Sequence, residues 1–360
     1  TGWPFFTYII TAIQIAVFIY ELIKQGIYTK NPFQTKPYFN PMLGPSSYVQ
    51  INVGARYLPC MTFVDGITNI TTLQWPCPNS TDTDTNVCTL SELCGMGGIS
   101  TDSESGLPNP DQWWRLITPM FIHAGIIHIL FNLVLQILMG SKIERYIGSV
   151  RYGFIYLASG ISGFLLGANF TPAGMASTGA SGALFGACIA LNLLLLIMNN
   201  STRHHEISAK ARTKRQFKIA LLGSIFEIVI MLVLGLLPGL DNFSHIGGFV
   251  IGVVLGIALL DDPKHLYTKE YRAYLESKNE TTARNIGSFF EIRVRNRVII
   301  WYILRVVCLV LAVLYFVLLA KNFGDKGAGA SESCKWCKYI NCIPVNGWCE
   351  LGDLSVTYSS

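Results

Sequence analysis

Seven stretches of the chain run apolar and nearly free of charge, near residues 4–23, 121–140, 152–170, 180–198, 217–237, 243–260 and 298–320. A hydrocarbon core about 30 Å thick is crossed by roughly 20 such residues wound as a helix. Each stretch therefore predicts a transmembrane helix. The third holds Gly153, Gly160, Gly163 and Gly167, and the sixth holds Gly248, Gly252 and Gly256 at four-residue spacing. These leave one helical face almost bare, which predicts close packing of helices rather than contact with a ligand. The boundaries that follow are a first span over 1–23, a cysteine-containing loop over 24–120, a core of spans two to six over 121–260, a polar loop over 261–297, a seventh span over 298–320 and a cysteine-rich tail over 321–360.

Composition agrees: of 360 residues, 51% are hydrophobic and 14% are charged, against about a quarter charged in soluble proteins. The net charge of +5 sits in short clusters between apolar runs, which does not make the continuous basic face that nucleic acid requires. Those clusters orient the chain, because cytoplasmic loops are enriched in Lys and Arg. The connections after spans two, four and six carry 17 (Lys142, Arg145 and Arg151; Arg203 to Lys218; Lys264 to Arg297), while the first loop and the tail carry nine. Spans two, four and six are thus expected to run from outside inward, with a cytosolic N-terminus and an external C-terminus. The chain opens Thr1-Gly2-Trp3 without methionine and shows no cleavable signal peptide, which reads as a processed or trimmed product.

The cysteines give an independent test, since disulfides persist in oxidising compartments. Cys60, Cys77, Cys88 and Cys94 fall in the first loop and Cys334, Cys337, Cys342 and Cys349 in the tail, while Cys188 and Cys308 lie within spans. Eight on the expected external side favour disulfides over zinc at Cys334-x-x-Cys337, with pairs inside each cluster; each set of four leaves three pairings open. Asn69 and Asn79 head glycosylation sequons in the first loop. Asn199, Asn200 and Asn279 match the same pattern on the cytosolic side, and Asn169 and Asn242 match it at span ends, where they are expected to stay bare.

Polar side chains within spans are costly and are functional candidates by default. Span two carries His123, His128 and Asn132, the last two on one face by their i, i+4 spacing; span four opens Gly179-Ala180-Ser181-Gly182; span six carries Ser244 and His245 near its start. Three spans of one orientation bring a serine, a histidine and side-chain donors to similar depth, which is the equipment of acyl transfer. Taken singly, Ser181 reads equally as a small packing residue and His245 as a hydrogen-bonded structural histidine. Glu227 and Arg305, at comparable depth in spans five and seven, leave two readings: an ion pair docking the seventh helix, or an Arg305 that reaches back to the cytosolic surface.

From Trp113 to about Leu260 these residues resemble the rhomboid family of intramembrane serine proteases. Gly179-x-Ser181-Gly182 resembles its nucleophile motif, and His245 with Gly248 and Gly252 its base helix. The resemblance implies Ser181 as nucleophile and His245 as general base, a dyad with no acidic third member, and His128, Asn132 and the Ser181 amide as the oxyanion site. Trp114-Arg115 resembles the bracing motif of the family's first loop, and Glu144-Arg145 its structural pair after span two. Phe185 departs from the tyrosine that many members carry there, keeping a ring to stack on the histidine without the hydroxyl. The residue before His245 is Ser244, where alanine is commoner. Asn40-Pro41-Met42-Leu43-Gly44-Pro45, Pro238-Gly239-Leu240-Asp241-Asn242 and the tail cysteines are similar to the inactive rhomboids of animals, whose nucleophile motif is altered where this chain keeps Gly179-Ala180-Ser181-Gly182.

The sequence therefore predicts an all-α polytopic membrane protein, a six-helix core plus a seventh C-terminal span, placed in the secretory pathway or plasma membrane. Its expected activity is hydrolysis of peptide bonds in or near transmembrane segments of client proteins, without metal or organic cofactor and without nucleic acid. Two other functions compete: a non-catalytic escort for client helices, and a transporter, which would call for an internal repeat that the sequence does not show. No oligomeric state is assigned.

Overall fold

The computed structural model describes residues 2–81, 86–199, 214–236, 240–263, 288–332, 334, 336–344 and 349. Among them, seven helices are long and apolar enough to cross a membrane: Phe5–Thr29, Ile126–Ile147, Ser149–Phe170, Ser181–Met198, Arg215–Leu234, Asn242–Leu259 and Asn296–Lys326, spans one to seven below. Spans three, four and six form the centre, and it is glycine that lets them close. A Cβ on Gly248 would drive into the Gly182 backbone, and one on Gly252 into Gly186, so spans four and six meet backbone to backbone. Side chains of Tyr152, Tyr156, Phe164, Leu184, Leu191 and Ile251 fill the remaining space.

Span one is held by polar contacts inside the bundle. Gln14 donates to the Met120 carbonyl and to the Tyr156 hydroxyl, and Gln136 of span two donates to Thr11 and to Gln14. At its start, Glu144 accepts the backbone N–H of Phe6 and Thr7 and the Thr7 hydroxyl, which supplies acceptors to amides that open a helix without partners. Glu144 thus braces the fold as expected. Arg145 does not share that task, being exposed and without a hydrogen bond among the described residues.

Span two begins later than its apolar run. Trp113–Leu116 and Thr118–Phe121 are 3-10 turns, and regular helix opens at Ile126. Its first amides are capped by backbone: Ile126 N–H donates to the Leu43 carbonyl and Ile127 N–H to that of Met42. Gly44 and Gly125 cross so closely that a Cβ on either would clash with the backbone of the other segment. This end of the bundle, where spans two, four and six start, also carries the first loop.

That loop builds its own small core from Tyr57, Leu58, Val64, Trp75, Leu90 and Leu93, joined by Ala328 from the segment after span seven. Two short antiparallel pairs, Trp75–Pro76 with Val87–Cys88 and Ser100–Thr101 with Pro108–Asn109, complete it. Four disulfides close the region: Cys60–Cys94, Cys77–Cys88, Cys334–Cys337 and Cys342–Cys349. All eight expected cysteines are paired, each within its own cluster, while Cys188 and Cys308 are free and buried.

Span seven docks on spans three and six. Tyr315 donates to the Ser162 carbonyl, and Asn322 donates to Asn169, whose own amide donates to the Leu319 carbonyl. The Glu227–Arg305 ion pair is not formed. Arg305 instead meets Asp262, just beyond span six, at 3.1 Å, donates to the Leu260 carbonyl and lies over the rings of Trp301 and Tyr302. A long side chain near the end of a span reaches a carboxylate at the membrane edge more cheaply than it holds one within lipid.

Candidate active site

Ser181 is the first residue of span four, and the segment before it is fixed by three backbone hydrogen bonds. Arg56 and Ser177 exchange backbone hydrogen bonds of 3.0 Å, and Gly179 N–H donates to the Pro119 carbonyl at 2.9 Å. Gly179 has φ +112°, and a Cβ there would lie 2.5 Å from His128 Cε1 and 2.7 Å from its Nε2. Backbone conformation and space both require glycine at this position.

Span six is anchored by Asp241, which caps its start by accepting Phe243 N–H at 3.0 Å. Its other oxygen meets the buried Arg56 guanidinium at 3.1 Å. One turn in, His245 Nε2 lies 2.8 Å from Ser181 Oγ. The Phe185 ring stacks on His245 with centroids 4.4 Å apart and planes 8° from parallel. His245 Nδ1 is 3.2 Å from the Asn242 side-chain oxygen.

His128 and Asn132 lie against Gly179, beside Ser181, and each leaves a donor unused. Ala124 N–H donates to His128 Nδ1 at 3.4 Å, so in a neutral ring the proton resides on Nε2. That Nε2 and Asn132 Nδ2 are buried without a hydrogen-bond partner among the described residues. As first residue of a helix, Ser181 has an N–H with no intrahelical acceptor either. Three donors therefore converge next to a serine hydroxyl that is bonded to an imidazole.

Arg115, in the turn before span two, is wholly buried and reaches Gln112, the Ile51 and Ala55 carbonyls and the Cys94 carbonyl. Burial pulls its pKa down to about 9, which leaves it charged at neutral pH. Its neighbour Trp114 is half-buried. Of the Trp114-Arg115 pair expected to brace the fold, Arg115 is the one whose hydrogen bonds tie the first loop to the entry of span two. His123 is buried ahead of span two with its ring edge-on to His128, centroids 5.4 Å apart, one layer behind the pocket. Asn242, Asp241 and Arg56 escaped the sequence reading as site residues. An Asp directly before an apolar run is a capping signal, and Asn242 precedes His245 by three residues, on the same helical face.

The sequence pattern of the Rhomboid domain family matches residues 110–262. Rhomboid-type serine protease 2 of Emericella nidulans is 43% identical over 97% of this chain and 72% of its own length. RHOMBOID-like protein 2 of Arabidopsis thaliana is 37% identical over 66% of this chain and 65% of its own. The human Inactive rhomboid protein 1 is 30% identical over 68% of this chain but only 24% of its own. With an extensive relative and a matching core, this chain belongs to the rhomboid family.

Proposed function

We propose that the chain is an intramembrane serine endopeptidase that cleaves transmembrane client proteins in or near their spans, with Ser181 as nucleophile and His245 as general base. The observation that carries this is the 2.8 Å contact between Ser181 Oγ and His245 Nε2 beside two unused side-chain donors. In the reaction, Nε2 takes the Ser181 proton as Oγ attacks the scissile carbonyl carbon. The oxyanion is held by His128 Nε2–H, Asn132 Nδ2–H and the Ser181 N–H. Collapse expels the amine, which receives the proton from His245, and a water activated by the same nitrogen releases the acyl group. Bound metal or organic cofactor has no part in these steps. The pocket lies at the start of spans two, four and six, which the charge pattern puts on the external or luminal side of the membrane, and water enters from there.

The test is labelling of the purified protein with a fluorophosphonate probe, together with cleavage of a helical membrane client. Wild type should label and cleave; Ser181→Ala and His245→Ala should do neither while keeping the fold. Asn132→Ala should lower kcat by about 10²–10³, the loss typical of one oxyanion donor. A wild type that neither labels nor releases a fragment ends the protease reading. The similarity to an inactive rhomboid then favours an escort for client helices, in which Ser181→Ala leaves client trafficking unchanged.

A further inference from the structure

The Ser181–His245 pair works in one tautomer only: an imidazole that takes a proton through Nε2 must carry its own on Nδ1. The group facing Nδ1 is Asn242, and a carboxamide presents an acceptor at one end and donors at the other. Its neighbours decide which end faces the ring. Asn242 Nδ2 lies 2.9 Å from the Leu232 carbonyl in span five and 2.8 Å from the Ile340 carbonyl in the tail. Carbonyls only accept, so the amide nitrogen has to face both of them and the oxygen has to face His245. The reversed amide would set oxygen against two oxygens and would offer His245 a donor, moving the ring proton to Nε2 and leaving Ser181 without a base.

The tail is tied to the same helix end by a second residue. Asn341, buried at 2% exposure, accepts Asn242 N–H at 2.9 Å and donates to Asp241 at 3.0 Å and to Thr171 at 3.2 Å. Ile340 and Asn341 lie between the Cys334–Cys337 and Cys342–Cys349 bridges. We propose that Asn242 is a positioning residue that holds His245 in the Nδ1–H tautomer, and that Ile340 and Asn341 of the disulfide-closed tail hold Asn242 in turn. The tail is then part of the catalytic constellation. The effect on rate rests on the hydrolase reading above; the tautomer does not.

Nitrogen-15 NMR of the histidine rings in the full-length Ser181→Ala protein tests this, because no serine is left there to choose the tautomer. His245 should carry its proton on Nδ1; a proton on Nε2 overturns the proposal. Adding Asn242→Ala should give a mixture of tautomers, and an unchanged Nδ1–H signal overturns the role of Asn242. In the protein that keeps Ser181, Asn242→Ala should slow fluorophosphonate labelling by about 10- to 100-fold, the usual loss when an orienting partner is removed, and Asn341→Leu should slow it by less. Labelling and tautomer both unchanged in Asn341→Leu would overturn the part given to the tail. Should wild type fail to label while His245 keeps Nδ1–H only with Asn242 present, the hydrolase reading falls and this one stands.

Discussion

Phe185 shows how little of a side chain the site uses. Its ring lies flat on His245 and is 1% exposed, so it serves as a wall that fixes the plane of the imidazole. An aromatic pair contributes about 0.5–1.5 kcal/mol beyond its area. Phe185→Leu, which keeps the apolar volume, should therefore slow fluorophosphonate labelling by about two- to tenfold with the fold retained; an unchanged rate would reduce Phe185 to filler. Gly179→Ala should be far more damaging, because the new methyl meets the His128 ring on a backbone at φ +112°. Labelling should vanish while circular dichroism stays helical. Ser181, His245, His128 and Asn132 were legible because each is a polar intruder in an apolar span. Asn242 was not. It sits at a span end, where polar residues are ordinary, and only the carbonyls of Leu232 and Ile340, 10 and 98 residues away in sequence, give its side chain a direction.

Elements were legible where apolar length decides them and illegible where backbone partners do. The run from residue 121 is apolar enough to read as helix, yet residues 122–125 stay out of the helix, which starts only where the Met42 and Leu43 carbonyls meet its amides. The widened turns Gln136–Gly140 and Phe185–Ala190 inside spans two and four leave no trace in hydropathy. The start of span six depends on a charge from the first loop. Burial pulls the Arg56 pKa down, and Asp241 beside it pulls it partly back up. Removing one partner of a buried pair leaves the other uncompensated, which costs about 3–5 kcal/mol. Arg56→Ala should lower the thermal midpoint in micelles accordingly and loosen His245, whereas a midpoint within a degree of wild type would show the pair to be dispensable. The bridges differ by the loop each closes: Cys60–Cys94 are separated by 34 residues and Cys334–Cys337 by 3. Chain entropy makes the first worth about 4 kcal/mol and the second about 2 kcal/mol. Denaturant midpoints of the paired serine variants should fall in that order; the reverse order would place the stabilising role in the tail.

For the whole molecule, three features that are independent in sequence meet at one end of the bundle. The four disulfides lie there, in the first loop and the tail. Ser181 and His245 open toward it from the first turns of their spans. The Lys and Arg clusters belong to the connections at the other end, after spans two, four and six. If the charge pattern sets orientation, the end that holds Ser181 and His245 faces an oxidising compartment, and glycosylation should report it. Asn69 and Asn79 are exposed on the first loop, whereas Asn169 and Asn242, which match the same sequon, are buried and hydrogen-bonded between spans, Asn169 to the Leu319 carbonyl of span seven and Asn242 to the Leu232 carbonyl of span five. Expression in a glycosylating host should give two glycosidase-sensitive shifts, one lost in Asn69→Gln and the other in Asn79→Gln. The sequons at Asn199, Asn200 and Asn279 should add none, because their connections carry the basic clusters. A glycan on any of those three would invert the chain. The disulfide-closed end would then face the reducing cytosol, where such bridges do not persist, so the same result would have to be accompanied by free thiols in the first loop and tail. Two chemically unrelated modifications must move together, and a host that glycosylates Asn69 and Asn79 while leaving the eight cysteines reduced would break the link between charge pattern, bridges and site.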